Sequence, residues 1–385
     1  MFLPLIIILL ELGCYLSMDM FVPGISKMSQ DFAVSQTYAQ ASFTLWFLGV
    51  MVTTILFGVW SNSYGRRPII VYSSFIFIVG SFLCFIAFNM NLFLLGRFLQ
   101  GLCLSAPIVA GYAAINEKYN DVTAIKIISI MGSITVLAPA LGPILGSILI
   151  YFGSWRYIFA TLTLWGVIVF VLAYKYYPET NEKQVKETLK SNIRHYFNII
   201  TNIDFILFSS SAGIAFAGLW LWIYSSPFII QEQLNFSIKI YGFVQLLTSF
   251  MFVLGAFIMR KLLDKLELLN IIYIGTILYV FAALGLYNIN YNLIWIVLWI
   301  VLLNIGLSFC FSPLLRLALN SSKEKMDFKT ASNTIFINLY LILGTLVFSF
   351  FEDVNITNLS YSILAIAATL LIFVFLIGQL ANSKK

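Results

Sequence analysis

Charge is scarce in this chain: Asp, Glu, Lys and Arg make up 10% of its 385 residues, against roughly a quarter in globular domains. So little charge beside 61% hydrophobic residues excludes an ordinary water-soluble domain and points to a chain embedded in lipid. Histidine is scarcer still, with His195 alone, which removes the reservoir of imidazoles that a metal centre or a His-based enzyme draws on. The four cysteines, Cys14, Cys84, Cys103 and Cys310, all fall inside apolar runs. They read as packing residues, so neither a disulfide framework nor a redox compartment follows from them. No P-loop, zinc-ligand spacing or His/Asp/Ser constellation is present, so nothing supports an enzyme or an ATP-driven pump, and no cofactor is implied.

What abounds is apolar length. A bilayer core needs roughly 20 apolar residues per helix, and twelve runs meet that need. They are residues 2–21, 39–60, 68–88, 92–115, 127–152 and 157–174 in the first half, and 205–230, 241–259, 268–287, 293–315, 331–351 and 359–380 in the second. The first run is read as a permanent helix because it lacks a basic leader and is interrupted by Glu11. The expected fold is an all-α membrane protein with twelve transmembrane helices. With both termini cytoplasmic, eighteen of the 22 Lys and Arg fall inside and only Lys27, Arg156 and Lys239 outside, with Arg97 within a span. That asymmetry is a positive-inside signal, and the basic balance does not argue for nucleic acid.

The longest polar stretch, residues 176–204, separates the sixth run from the seventh. It divides the chain into a first six-helix bundle (1–175), a cytoplasmic linker (176–204) and a second bundle (205–385). The Lys/Glu-rich run from Glu179 to Lys190 is read as a solvated linker in preference to a helix on the membrane surface, and His195 as an ordinary linker residue. Gly58 before Arg66 and Arg67, and Gly255 before Arg260 and Lys261, give a weak internal echo of a duplicated unit.

Charged groups at membrane depth cost on the order of 2.5 to 3.5 kcal/mol each on insertion scales, so each one asks for a function. Three stand out: Glu11, Asp19 and Arg97. Glu11, Tyr15 and Asp19 recur every four residues and share one face of the first helix, with the two carboxylates about 12 Å apart along its axis. Arg97 lies about 8 Å below the outer edge of the fourth span, near the depth of Asp19. The pair is either a structural staple or a coupling device in which a carboxylate moves between an apolar setting and a guanidinium, loading and releasing a proton. In the fifth helix, Ala138, Gly142 and Gly146 form a small-residue face, while Pro139 and Pro143 each remove a backbone hydrogen bond. A kinked, closely packed helix with a conformational role is expected. Trp220, Trp222 and Tyr224 of the seventh run offer apolar or cation-π surface, or equally lipid-facing rings.

These motifs together resemble the major facilitator superfamily. Gly58-Val-Trp-Ser-Asn62-Ser-Tyr-Gly65-Arg66-Arg67-Pro68 resembles its loop signature, Arg97-Phe-Leu-Gln100-Gly101 its fourth-helix motif, and Ala138-Pro139-Ala140-Leu141-Gly142-Pro143 its fifth-helix antiporter motif. Glu11 with Asp19, the Asp19-Met20-Phe21-Val22-Pro23-Gly24 run and Gly111-Tyr112-Ala113-Ala114-Ile115, with the later Ser226-Pro227 and Tyr241-Gly242, are similar to MdfA-type drug/proton antiporters of the Bcr/CflA group. The resemblance implies two bundles around a central cavity and alternating access. It also implies export of lipophilic or cationic drugs in exchange for protons across a bacterial inner membrane, by a monomer. Glu11, Asp19, Arg97, Tyr15 and Tyr112 would serve proton coupling and substrate binding. Asn62, Gly65, Arg66, Arg67, Pro139, Gly142 and Pro143 would serve conformational change. Asn62 stands where the loop signature usually has Asp, which puts the charge interactions of that latch in doubt. An exporter of an endogenous metabolite such as a siderophore, and a passive channel, are the competing functions.

Overall fold

The computed structural model describes residues 2–181, 189–288, 292–324, 326–351 and 353–383. Every regular element among them is helical, as lipid demands of a backbone that must satisfy its own hydrogen bonds. In chain order these are α1 (Phe2–Asp19), α2 (Ile25–Asp31), α3 (Gln36–Tyr64), α4 (Arg66–Ile86), α5 (Met90–Gly101), α6 (Tyr112–Lys118), α7 (Asp121–Tyr151) and α8 (Arg156–Tyr176). They are followed by α9 (Leu189–Ile200), α10 (Ile203–Pro227), α11 (Ile238–Leu262), α12 (Leu268–Tyr287), α13 (Leu293–Asn320), α14 (Met326–Phe348) and α15 (Ile356–Ser383). Asparagine side chains cap four of these starts, Asn89 on Leu92 N at 2.9 Å, Asn120 on Thr123 N at 3.0 Å, Asn202 on Phe205 N at 3.1 Å and Asn292 on Ile294 N at 2.9 Å.

Ten helices among the described residues are long and apolar enough to cross a membrane. The fourth expected run is not one helix: α5 ends at Gly101, a turn follows, Pro107–Gly111 is π-helical, and α6 completes it. The fifth run, 127–152, lies in α7 but for its last residue, and part of that helix's side chains fall outside the described residues. The first run is longer than the expected 2–21, because the span continues through α2 to Asp31. Ile25 and Met28 of that extension are fully buried, which draws it inward. In the linker, residues 182–188, most of the Lys/Glu-rich run, lie outside the described residues, and 189–200 form α9.

The chain falls into two compact units, Met1–Val34 with Tyr38–His195, and Ser35–Thr37 with Tyr196–Lys385. In the first, α1 packs against α7 and α8, while α4 packs against α8 and α5. Phe21, Phe93 and Phe159 interlock at ring distances of 5.1 to 5.5 Å and tie the end of α1 to α5 and α8. In the second, α10 lies against α13, α14 and α15, and α12 against α13 and α15. The two units share a close glycine crossing. A Cβ on Gly80 would lie 2.8 Å from Gly96 O, between α4 and α5. A Cβ on Gly275 would lie 2.8 Å from Gly306 O, between α12 and α13. Each crossing has a buried cysteine beside it, Cys84 and Cys310. Only glycine lets the backbones approach that closely.

Candidate functional site

The site forms where α1 fails. Pro23 offers no N–H to the carbonyl of Asp19, four residues back, and its ring excludes that carbonyl from a regular turn. The α-helix therefore stops at Asp19, and the chain resumes through a 3-10 turn at Val22–Gly24. Asp19 is held at this break and is 2% exposed. Gly142 and Gly146 of α7 lie against it: a Cβ on Gly142 would collide with Asp19 Cβ, and one on Gly146 with the Met20 carbonyl oxygen. The small-residue face of the fifth helix thus admits α7 to the break in α1. Pro143 is buried, and its carbonyl accepts from Ser147 Oγ at 2.7 Å. The side chain of Pro139 lies outside the described residues. Helix α7 runs without interruption through both prolines.

Arg97, fully buried in α5, reaches the same end of α1. Its Nη1 donates to the Ser17 carbonyl at 2.7 Å and to Gln100 Oε1 at 2.7 Å, and its Nη2 donates to Met18 Sδ at 3.4 Å. Ser17 O is among the last carbonyls of α1, where a cation meets the negative end of the helix dipole. Gln100 Nε2 donates to Ser81 Oγ at 2.9 Å, so the guanidinium is oriented from α1, α4 and its own helix. Asp19, two residues beyond Ser17, lies in the field of that charge.

Glu11 is fully buried two turns earlier, and Tyr112 Oη donates to its Oε1 at 3.4 Å. Tyr112 comes this close because its neighbour Gly111 has no side chain; a Cβ there would lie 2.6 Å from Ile7 Cγ2. Tyr15 is half-buried between the two carboxylates. The structure therefore sets Tyr112 against Glu11, and Gly142 against Asp19 with Arg97 bonded to the same end of α1, as two stations along one helix.

The loop-signature residues form a separate cluster at the junction of α3 and α4. Arg66 Nη2 pairs with Glu117 Oε1 at 2.7 Å, and Arg66 Nη1 donates to Ser61 Oγ at 2.7 Å and to Asn62 Oδ1 at 2.8 Å. Glu179 accepts the backbone N–H of Arg66 at 2.8 Å and of Arg67 at 3.1 Å, capping α4 where Gly65 has no side chain to do so. Gly65 itself has φ 100°, a conformation that favours glycine, and a Cβ there would strike Glu179. Asn181 Nδ2 reaches back to the Asn62 carbonyl at 3.1 Å, and Arg67 Nη2 donates to the Tyr174 carbonyl at 2.8 Å. Asn62 is thus an acceptor for a guanidinium whose carboxylate partner is Glu117. Sequence reading missed Glu117, and placed Glu179 among solvated linker charges.

In the second unit Trp220, Trp222 and Tyr224 are buried within the protein and not turned to lipid. Trp222 Nε1 donates to Gln245 Oε1 at 2.9 Å, and Asn304 Nδ2 donates to the Thr248 carbonyl at 2.9 Å, so neutral amides join α10, α11 and α13. Phe216 stacks on Phe311 at 4.7 Å, and Trp220 sits 5.4 Å from Tyr224.

A family model described as Major Facilitator Superfamily matches residues 7–345. The chain is 28% identical over 380 residues to the chloramphenicol resistance protein CraA of Acinetobacter baumannii, covering 97% of this chain and 90% of that protein. It is 30% identical over 325 residues to the multidrug transporter MdfA of Edwardsiella ictaluri, covering 83% and 79%. Among solved structures, a bacterial homologue of the human lysosomal transporter Spinster in an inward-facing conformation matches with TM-score 0.73 at 14% identity, covering 97% and 96%. A D-xylose–proton symporter matches with TM-score 0.72 at 13% identity, covering 96% of each chain. At such identities these structures share the fold.

Proposed function

Because this chain belongs to the major facilitator superfamily, we propose that it exports lipophilic or cationic drug-like compounds in exchange for protons, by alternating access. Proteins of this superfamily move small molecules and do not transform them, so the protein is a multi-pass membrane transporter and not an enzyme. The finer reading is ours. It has twelve spans in two six-helix bundles, residues 1–175 and 205–385, joined by a linker at 176–204. The chain acts as a monomer in a bacterial inner membrane, with both termini cytoplasmic.

The observation that carries this reading is that both buried carboxylates of α1 are read by one interrupted helix. Asp19 lies in the field of Arg97 on α5, and Glu11 accepts from Tyr112 on α6. Between those contacts the chain passes through a turn and the π-helical segment Pro107–Gly111, an irregularity often found at functional sites. A proton arriving at Asp19 cancels its attraction to Arg97 and leaves the guanidinium to Ser17 O and Gln100. A proton arriving at Glu11 changes what Tyr112 can donate to. Each event alters the balance of forces on the fourth span, and a transported compound that competes with protons is expelled as they enter. Gly142 and Gly146, pressed on the break beside Asp19, carry the same event to α7.

Chloramphenicol, the compound in the name of the Acinetobacter relative CraA, is the first to test. Adding it to detergent-purified protein in weak buffer is expected to release protons in proportion to the protein. A chain that binds or passes the compound with no proton release would be a uniporter or channel, and the proposal would fail.

A further inference from the structure

The end of helix α9, from Tyr196 onward, belongs to the second unit. Its inward residues Tyr196 and Ile199 pack on Phe205, Ala318 and Phe328, at the ends of α10, α13 and α14. Asn198 Nδ2 donates to Glu324 Oε1 at 2.9 Å, and Asn202 Nδ2 to the Ser321 carbonyl at 3.0 Å. Only Thr201 and Asn202 separate α9 from the membrane-spanning α10. The helix is therefore fixed at the level where the spans leave the bilayer.

Its other side is apolar and uncovered. Phe197 is 60% exposed and Ile200 45%, three residues apart on α9, and Ile203, the first residue of α10 beyond the break at Thr201 and Asn202, is 66% exposed. Large apolar side chains exposed beside a membrane boundary belong in the interface and not in water. The edge above them is cationic. Arg194 is exposed one turn before Phe197, and α9 carries no acidic residue. Arg316 and Lys323 are also exposed, near the cytoplasmic end of α13. A helix with large apolar residues on one side and cations at the margin matches a negatively charged leaflet, where each cation adds attraction.

We propose that α9 is a binding element for anionic phospholipid: Phe197, Ile200 and Ile203 enter the cytoplasmic leaflet, and Arg194 pairs with the headgroup phosphate. The bilayer thereby holds the linker against the second unit at a defined depth. This rests on the chain spanning a membrane and not on what it exports.

The four native cysteines are buried, so Phe197→Cys in the full-length protein takes a thiol-reactive, environment-sensitive fluorophore selectively. The labelled protein is reconstituted into phosphatidylcholine vesicles with and without phosphatidylglycerol. Brominated acyl chains are expected to quench the label several-fold more than they quench a label at Lys323→Cys. Phosphatidylglycerol is expected to shift the emission to the blue, and Arg194→Gln to remove most of that shift while quenching persists. Ile203→Cys supplies a second label position should Phe197→Cys express poorly. A label untouched by brominated chains at both positions, whether because water or protein covers it, would overturn the leaflet contact. A phosphatidylglycerol response that survives Arg194→Gln in full would overturn the headgroup pairing.

Discussion

Arg97 divides the two readings of the site, because its hydrogen bonds to Ser17 O and Gln100 would exist in a mere staple as well. Lysine keeps the charge but presents one nitrogen, which cannot reproduce a planar fork. Arg97→Lys at normal membrane levels is expected to lower efflux at least tenfold, about 1.4 kcal/mol of lost stabilisation; efflux at the wild-type rate would leave Arg97 as a staple. Glu11→Gln or Asp19→Asn alone is expected to weaken proton coupling. The double variant is expected to move no compound against a gradient in proteoliposomes with an imposed pH difference, and full pH-driven efflux from it would remove both carboxylates from the mechanism. Residues of this kind are legible in sequence because a charge inside an apolar run is conspicuous. Glu117 and Glu179 were not, because their partners lie 51 and 113 residues away in Arg66. A pairing at such range leaves no trace in local spacing.

At the scale of helices, the close approach of α7 to the break in α1 makes Gly142 the most constrained position of the fifth-helix motif. Gly142→Ala places a methyl on Asp19 Cβ, and overpacking of this sort costs roughly 1 to 3 kcal/mol. A lower Tm in detergent together with lost efflux is expected. Gly344→Ala is the control, since its new Cβ would meet Ala217 Cβ at an ordinary 3.4 Å; equal losses from both would mean that helix propensity and not packing is at stake. At the start of α4, Glu117→Gln removes a charge-assisted pair from Arg66 and is expected to cost on the order of 1 kcal/mol. Asn62→Asp adds a carboxylate to a guanidinium already paired and should shift Tm by less. A larger effect of Asn62→Asp would restore the idea that the neutral amide weakens this cluster. The apolar runs foretold nearly all spanning helices, since lipid leaves the backbone little choice. They did not foretell where helices break: the first run is bounded at Phe21, yet α1 stops at Asp19 and the span resumes through α2, with Ile25 and Met28 buried, to Asp31. The π-helical segment before Tyr112 has no periodic signature in residues 92–115.

At the scale of the whole molecule, each unit packs largely on itself, and the division falls within α9, whose Tyr196 and Ile199 pack on the second. Fragments 1–188 and 189–385, expressed together, are therefore expected to restore resistance to chloramphenicol, and either alone to give none. Failure of the pair, with both fragments present in the membrane, would mean that covalent continuity through the linker is needed for folding or for the transport cycle. One asymmetry between the units has an electrical consequence. Away from their ends, the spans carry formal charge only at Glu11, Asp19 and Arg97, all in the first unit. With both acids ionised these three groups sum to one negative charge, with one proton to zero, and with two protons to one positive charge. Carrying an elementary charge through 100 mV is worth about 2.3 kcal/mol. The membrane voltage therefore pulls the empty and doubly loaded forms in opposite directions and ignores the singly loaded one, so the polarity of a transient current would count the protons on board.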